Sequence, residues 1–275
     1  MHCRNCKFSE AFVEGLWKRY EPYADSKFPQ KAQDAFHQRF WEMYLGVSLL
    51  EKGLNLTKHS DKGPEFYVQL NDKKVWFEAI APGPGDKSKR DTVPKPEFGK
   101  GRDVPIEQKL LRFTNALATK SQCYVNALSE GIIAPDDGYV LAINSYTVSP
   151  GATIGYPLPY IVQALFGIGT PGYAIDPVSH DIVDSYCPHL PYVAKSNAEK
   201  IPMGCFRDGG AAFCSAVIHS SVDCANYPAE LGQDFLVVLN PTATHQIPID
   251  TFPWWTRYTF NIERNELKRL DPAAG

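Results

Sequence analysis

The sequence lacks an apolar run of 18 residues, so no transmembrane helix is expected. Its first residues, MHCRNCKFSEAF, contain no hydrophobic stretch, and no signal peptide is expected either. The net charge of −3 excludes a general attraction to nucleic acid or to an anionic membrane, so a nucleic-acid site would have to be a local basic patch. Seven cysteines, an odd number, do not fit a secreted disulfide framework and predict mostly reduced thiols in a cytoplasmic protein.

Several catalytic signatures are also missing. The chain contains no G-x-S-x-G, no Walker loop and no H-E-x-x-H, which leaves those mechanisms without a starting point. It contains neither internal repeats nor a low-complexity tract. With 44% hydrophobic and 21% charged residues, the 275-residue chain is typical of a globular protein with a sizeable core. We therefore expect a single domain over residues 1–275.

Two helices are predicted in the first half of the chain. Apolar residues spaced i, i+4, i+7 and i+11 predict a helix from Lys31 to Lys52, which Gly53 ends. Glu42 lies beside that apolar stripe, on a flank with no other charge, so partial burial of its carboxylate is favoured. A second amphipathic helix is predicted from Ile106 to Leu128.

A hairpin of two strands is predicted between these helices. EFYVQL alternates apolar and polar residues, NDKK is a polar turn, and VWFEAIA follows. The last segment is apolar on both faces, which predicts a central strand of a sheet. Glu78 is the one carboxylate in that segment, and a charge there is costly unless it is paired or bound to a metal ion. A further short strand is predicted at YVLAIN, Tyr139 to Asn144.

Residues 145–275 have weaker periodicity and are rich in proline, glycine and aromatic residues. AAFCSAVIHS and DFLVVLN predict two more strands. The stretch from Ser145 to Pro202 is expected to consist mostly of loops, with one short helix near Ile161 to Phe166. This half of the chain is interpreted as a C-terminal extension that packs on a core at residues 31–144 or completes it.

The carboxylates of the predicted hairpin indicate metal chemistry. Two carboxylates on adjacent antiparallel strands, with their side chains on one face, can bind one or two divalent cations such as Mg²⁺. Such an ion can activate a water and stabilise the charge of a phosphodiester during cleavage. A nearby lysine can orient the water or neutralise the developing charge.

GPEF at Gly63 to Phe66, followed by VWFEAIAP, resembles the PD-(D/E)XK nuclease superfamily. The pattern of that superfamily is Pro-Asp at the start of one strand and (Asp/Glu)-x-Lys in the next, after a helix that often carries a glutamate. Pro64-Glu65 matches the first element, Glu78 the second and Glu42 the helical glutamate. The resemblance covers residues 31–144.

The resemblance implies an α/β fold with a restriction-endonuclease-like αβββαβ core. Helices would flank a mixed central sheet, to which the C-terminal extension adds strands. It also implies a metal-dependent nuclease in which Glu65, Glu78 and Glu42 hold Mg²⁺ or Mn²⁺. The implied partner is nucleic acid, DNA in preference to RNA, with no membrane involved. A homodimer is left open.

The sequence departs from the superfamily pattern at two positions. Glu65 replaces the usual aspartate, which lengthens the side chain by one methylene group. Ile80 occupies the lysine position of the strand. In some members of the superfamily the lysine has migrated to the following helix, which makes Lys120 the candidate here. Lys109 and Arg112, on the same basic stripe of that helix, are the alternatives.

A long Pro/Gly loop at residues 82–105 separates the second strand from the second helix. In a nuclease its basic residues could follow a phosphate backbone without reading bases, although such loops are usually only solvated. The candidate nucleic-acid-binding residues in this loop are Lys87, Lys89, Arg90, Lys100 and Arg102.

Other interpretations stay open. The missing strand lysine and the weakly acidic charge favour a catalytically inactive nuclease-like fold that serves as a binding or interaction scaffold. CRNC, Cys3 to Cys6, has the spacing of half a zinc site, which CPH at Cys187 to His189 could complete. FPWWTRYTF, Phe252 to Phe260, could stack on bases, but such aromatic clusters more often belong to a core.

Overall fold

A computed structural model describes residues 4–58, 62–70, 72–95, 97, 99, 103–148, 157–170 and 172–273. Its helices are α1 (Arg4–Tyr20), α2 (Phe28–Asp34), α3 (Phe36–Glu51), α4 (Ile106–Ser129) and α5 (Tyr160–Phe166). The first six strands are β1 (Leu56–Thr57), β2 (Phe66–Leu70), β3 (Lys73–Ile80), β4 (Gly138–Asn144), β5 (Gly172–Ile175) and β6 (Ile182–Tyr186). The others are β7 (Tyr192–Ala194), β8 (Lys200–Pro202), β9 (Ala216–Ser220), β10 (Leu236–Leu239), β11 (Thr256–Asn261) and β12 (Glu266–Leu270).

Eight of these strands form one mixed sheet in the order β1-β2-β3-β4-β9-β10-β11-β12. The pairs β3–β4, β4–β9 and β10–β11 are parallel, and the other neighbouring pairs are antiparallel. The α/β class with a mixed sheet flanked by helices is therefore confirmed. Residues 145–275 contribute β9 to β12 to the sheet that β1 to β4 begin.

Two hydrophobic layers cover the two faces of the sheet, with α1, α2 and α3 on one face and α4 and α5 on the other. Strand β4 shows why both layers form, because its side chains alternate between them. Val140 and Ala142 contact the first layer, whereas Leu141 and Ile143 contact the second. A strand buried on both faces needs apolar residues at every position, which the sequence of β4 provides.

The hairpin of β2 and β3 is confirmed, and so is the two-sided burial of β3. Phe77 and its alternate neighbours face the α3 layer, and Trp76 lies on the opposite face. The predicted helices at 106–128 and near 161–166 are confirmed as α4 and α5. Gly53 does end α3. It has a positive φ of 79°, and the next residue, Leu54, donates its N–H to the carbonyl of Leu49 (3.1 Å), which satisfies the end of the helix.

The single helix predicted from Lys31 to Lys52 is wrong. The chain forms α2 and α3 instead, and the helix is interrupted at Ala35, which has φ −135° and ψ 54°. Alanine favours helix, so the interruption must come from packing against other elements and not from the residue itself. Phe28 at the start of α2 stacks on Trp17 of α1 with ring centroids 5.3 Å apart, and this contact orients α2 separately from α3.

The expectation of mostly loops between residues 145 and 202 is also incomplete. This stretch contains two small antiparallel hairpins, β5–β6 and β7–β8. Their strands are only three to five residues long and largely exposed, so alternation of apolar residues gives little signal. The two predicted strands further on are real but shorter, at β9 and β10. FPWWTRYTF supplies core residues, since Phe252 and Trp255 are fully buried.

None of the helices in the described ranges is both long enough and apolar enough to cross a membrane.

Phe77→Ala should lower the free energy of unfolding by about 3–5 kcal/mol, because it leaves a cavity in the fully buried α3 layer. Phe36→Ala is the matched control. Phe36 is 45% exposed, so its loss should cost about 1 kcal/mol or less. Urea unfolding followed by circular dichroism measures both values. Equal losses for the two variants would contradict the position of β3 in the centre of the sheet.

Candidate functional site

Glu65 and Glu78 lie at the same end of the β2–β3 hairpin. The antiparallel register ends with Phe66 opposite Phe77, and Glu65 directly precedes Phe66. The backbone N–H of Glu65 donates to the carbonyl of Phe77 at 3.0 Å, one residue out of that register, so the chain is irregular at Glu65 in the manner of a β-bulge. Both side chains line the same cavity. The hairpin therefore brings two carboxylates together.

Lys120 of α4 supplies a cation to this pair of carboxylates. Its Nζ donates a hydrogen bond to Oε1 of Glu78 in a largely buried ion pair. Ile80, the next residue of β3 on the same face, packs against the layer beneath α4 and α5 instead. A basic group of the second helix thus reaches the carboxylates although the strand carries isoleucine where a lysine is usual.

Glu42 of α3 provides a third carboxylate. It is almost fully buried, at 2% exposure. The hydroxyl of Tyr20 donates to Oε1 of Glu42 at 2.8 Å, and Arg39, one turn earlier on α3, forms an ion pair with Oε2. Burial of this carboxylate agrees with its predicted position on the uncharged flank of the helix.

One cavity of about 260 Å³ collects these groups. Its lining includes Glu42, Glu65, Glu78 and Lys120, together with Arg39 and Lys58. Within the described part of the chain, Glu65 is the exception among the three carboxylates, because no side chain donates a hydrogen bond or forms an ion pair to it. The half-buried carboxylate of Glu65 therefore points into a polar cavity without a partner of its own.

Burial dominates the protonation of the cluster. It raises the pKa of Glu42 to about 7, against the attraction of Arg39 and the hydrogen bond from Tyr20. Burial also raises the pKa of Glu65 well above its usual range, and the charges of Glu42 and Glu78 raise it further. The pKa of Glu78 is raised by burial as well, although Lys120 opposes this.

The lysine of the cluster stays protonated. Burial lowers the pKa of Lys120, but the neighbouring charge of Glu78 and the hydrogen bond to it raise it more, so the net shift is upward. A side chain that keeps its proton acts as a hydrogen-bond donor and a positive charge. It does not act as a general base.

The donor set of the cavity suits a hard cation. Carboxylate oxygens are the ligands that Mg²⁺ prefers, and Mg²⁺ is commonly held by one or two carboxylates plus waters and substrate phosphates. Glu65 and Glu78 meet that requirement. No group of three or more His, Cys, Asp and Glu side chains in the described residues is arranged to hold a metal ion. Two carboxylates of the cavity are instead engaged by cations, because Lys120 forms an ion pair with Glu78 and Arg39 forms one with Glu42.

Lys109 and Arg112 lie away from the carboxylates. Lys109 is buried, with its ammonium 5.2 Å from the centre of the Tyr160 ring. Arg112 lines a different cavity, beside the loop that follows β3. Both precede Lys120 on α4 by eight residues or more, which is about 12 Å or more along the helix axis. Of the three basic candidates on α4, Lys120 is the one that lines the carboxylate cavity.

Other predicted site residues are dispersed. Lys87, Lys89 and Arg90 are exposed in the loop after β3, whereas Lys100 and Arg102 lie outside the described residues. For the zinc hypothesis, Cys3 lies outside the described residues as well, so this hypothesis stays a prediction. In its other proposed half, Cys187 is partly exposed, and His189 forms an isolated antiparallel bridge with Ile168.

Three residues of the site were not found from the sequence. Arg39 precedes Glu42 by one helical turn, a spacing typical of ion pairs, so its role could have been anticipated. Tyr20 lies 22 residues before Glu42, and nothing local predicts their contact. Gln38 fixes α3 to the end of β3, since its amide donates to the carbonyl of Ala79 (3.1 Å) and accepts from the N–H of Ala81 (2.7 Å).

Glu42→Gln should change the pH dependence of stability. Between the usual pKa of 4.5 and the folded value of about 7, the folded chain holds the proton of Glu42 more tightly than the unfolded chain. The free energy of unfolding of the wild type should therefore fall through this range, by up to about 1.4 kcal/mol per pH unit from this group. The glutamine variant lacks that loss, so its stability relative to wild type should increase as the pH rises. Urea unfolding at intervals from about pH 4.5 to about pH 7 tests this. A constant difference between the two proteins would contradict it.

Comparison of the chain with protein-family models gives no match. Neither the curated proteins nor the solved structures provide a match. The function is therefore inferred from the geometry of the site and from the resemblance carried by residues 31–144.

Proposed function

We propose that the protein is a metal-dependent nuclease of the PD-(D/E)XK type that hydrolyses phosphodiester bonds, in DNA in preference to RNA. The observation that carries this proposal is the convergence of four groups on one cavity. Glu65 and Glu78 come from the hairpin, Glu42 from α3 and Lys120 from α4. The element order α3, β1, β2, β3, α4, β4 also supports the αβββαβ core of that superfamily.

Glu65 and Glu78 would hold Mg²⁺ or Mn²⁺, with Glu42 in support directly or through a water. The unpartnered carboxylate of Glu65 fits this role, because it can accept a cation without losing a protein contact. The bound metal would supply Lewis-acid stabilisation of the phosphodiester and activation of a water. Because the carboxylates hold protons tightly, binding of the metal releases protons, and its affinity increases with pH.

Lys120 would act as the positive charge that the strand lysine provides in typical members. It remains protonated, so it can donate to a phosphate oxygen or orient a water. Its ion pair with Glu78 positions the ammonium at the carboxylates before a substrate arrives. Ile80 contributes apolar packing below the site.

Glu78→Gln should abolish Mg²⁺- or Mn²⁺-dependent cleavage of plasmid DNA, because it removes a charged metal ligand. Lys120→Met should reduce the rate by about 10²–10³, the usual effect of removing one group that stabilises transition-state charge. Glu107→Gln is the matched control, since Glu107 is exposed at the start of α4 and should leave cleavage unchanged. Circular dichroism and urea unfolding establish that each variant is folded. Undiminished cleavage by folded Glu78→Gln protein would refute the assignment.

A second candidate function is a catalytically inactive nuclease-like fold that serves as a binding scaffold. The ion pairs of Glu78 with Lys120 and of Glu42 with Arg39 favour it, because they neutralise both carboxylates without a metal. Isothermal titration with Mn²⁺ separates the two candidates. A folded sample that binds no Mn²⁺ supports the scaffold. Binding that disappears in the double variant Glu65→Ala, Glu78→Ala supports the enzyme.

A further inference from the structure

A second and larger cavity, of about 490 Å³, lies beside α4. It is bounded by the loop after β3 at residues 86–92, by α4, and by the turn between β7 and β8 at residues 195–199. We call it the Arg112 cavity, after the one α4 side chain in it that carries a charge. It shares no lining residue with the carboxylate cavity.

Arg112 is partly buried, and none of the described residues forms a hydrogen bond or an ion pair with it. Its Nε is buried, and no hydrogen-bond acceptor reaches it in the described residues. The loop passes so closely over the guanidinium that a Cβ atom at Gly85 would lie 2.8 Å from Nη1. Gly85 also has a positive φ of 113°, a backbone conformation that other residues rarely adopt. The loop is therefore shaped around the arginine side chain without neutralising its charge.

The three acidic residues of this cavity already accept hydrogen bonds or form an ion pair. Asp91 accepts hydrogen bonds from the backbone N–H of Ser196 (2.7 Å) and from its hydroxyl (3.2 Å), which ties the loop to the β7–β8 turn. Glu199 forms an ion pair with Lys195 at 3.0 Å. The third acid, Asp86, accepts from the backbone and hydroxyl of Ser88 within its own turn.

Three cations of the lining remain without an ion pair in the described residues, namely Arg112, Lys89 and Arg90. A guanidinium is always charged in proteins, and a partly buried charge without a counterion is unfavourable. The planar fork of arginine matches phosphate oxygens, and the side-chain amide of Asn115 in the same lining can donate as well. The lining carries four cations against three carboxylates, and its free donors suit a phosphate anion.

We propose that the Arg112 cavity binds a backbone phosphate of the same nucleic-acid strand that is cleaved at the carboxylate cavity. This inference rests on the proposed nuclease function, because α4 carries both Arg112 and Lys120. Eight residues separate them, or about 12 Å along the helix axis. Arg112 thus holds the strand at a phosphate other than the one at the bond that faces Glu78.

The experiment measures binding by fluorescence anisotropy of a short labelled DNA, both as duplex and as single strand. EDTA is present, so neither metal binding nor cleavage contributes. Arg112→Gln should weaken binding by about tenfold or more, which is typical for loss of a charged hydrogen bond. It should also reduce the slope of log affinity against log salt by about 1. Arg112→Lys keeps the charge but loses the planar guanidinium. Its affinity for DNA should therefore fall between those of wild type and Arg112→Gln.

Arg264→Gln is the matched control, since it removes an equal charge from an exposed position in the turn between β11 and β12. It should leave the affinity close to that of wild type. Wild-type affinity in Arg112→Gln, or an equal loss in Arg264→Gln, would overturn the proposal. Urea unfolding of each variant verifies that a loss of binding does not reflect a loss of structure.

Inorganic phosphate distinguishes the source of the anion. If phosphate raises the Tm of wild type but not of Arg112→Gln, and neither form of DNA binds, the cavity takes free phosphate and the nucleic-acid proposal is overturned. If the wild type binds DNA through Arg112 in EDTA but cleaves none with Mg²⁺ or Mn²⁺, the nuclease function fails while the phosphate site stands. The two failures are therefore distinguishable.

Discussion

The ion pair between Lys120 and Glu78 is the interaction on which the site depends. Glu78 lies in a strand that is otherwise apolar on both faces, so its charge has to be compensated within the protein. Lys120 can do so because α4 packs over that face of β3 and β4. Removal of one partner of a buried pair usually costs about 3–5 kcal/mol, since it leaves an uncompensated charge. The position of α4 on the sheet and the electrostatics of the cavity are thus coupled.

The same helix connects two different electrostatic environments. In the C-terminal half of α4, Lys120 lines a cavity rich in carboxylates. Burial in this cavity raises the pKa of Glu65. One to two turns from its start, Arg112 enters a cavity whose acids are already hydrogen-bonded or ion-paired. Lys109, also on α4, is buried against Tyr160. The basic residues on one stripe of the helix therefore lie in separate surroundings, because different elements pack on each part of it.

Much of the central fold could be predicted because its signals are local. Alternation of side chains predicted β2 and β3, and the short polar turn between them predicted their antiparallel pairing. That pairing brings Glu65 and Glu78 to the same end of the hairpin. The long amphipathic pattern of α4 and the continuous apolar run of β4 were equally clear. By contrast, the break at Ala35 and the short strands β5 to β8 leave little trace in periodicity, since contacts distant in sequence determine them.

The sequence by itself determined that a hairpin carries the carboxylates of Glu65 and Glu78 and that Ile80 stands at the position of the strand lysine. Only the tertiary structure decided which cation approaches them. Lys120 and Glu78 are 42 residues apart, and their contact depends on how α4 crosses the sheet. The partners of Glu42 likewise come from the packing of α1 against α3 as well as from its own helix. Periodicity specifies which face of an element a residue occupies, whereas its neighbours follow from the packing of whole elements against each other.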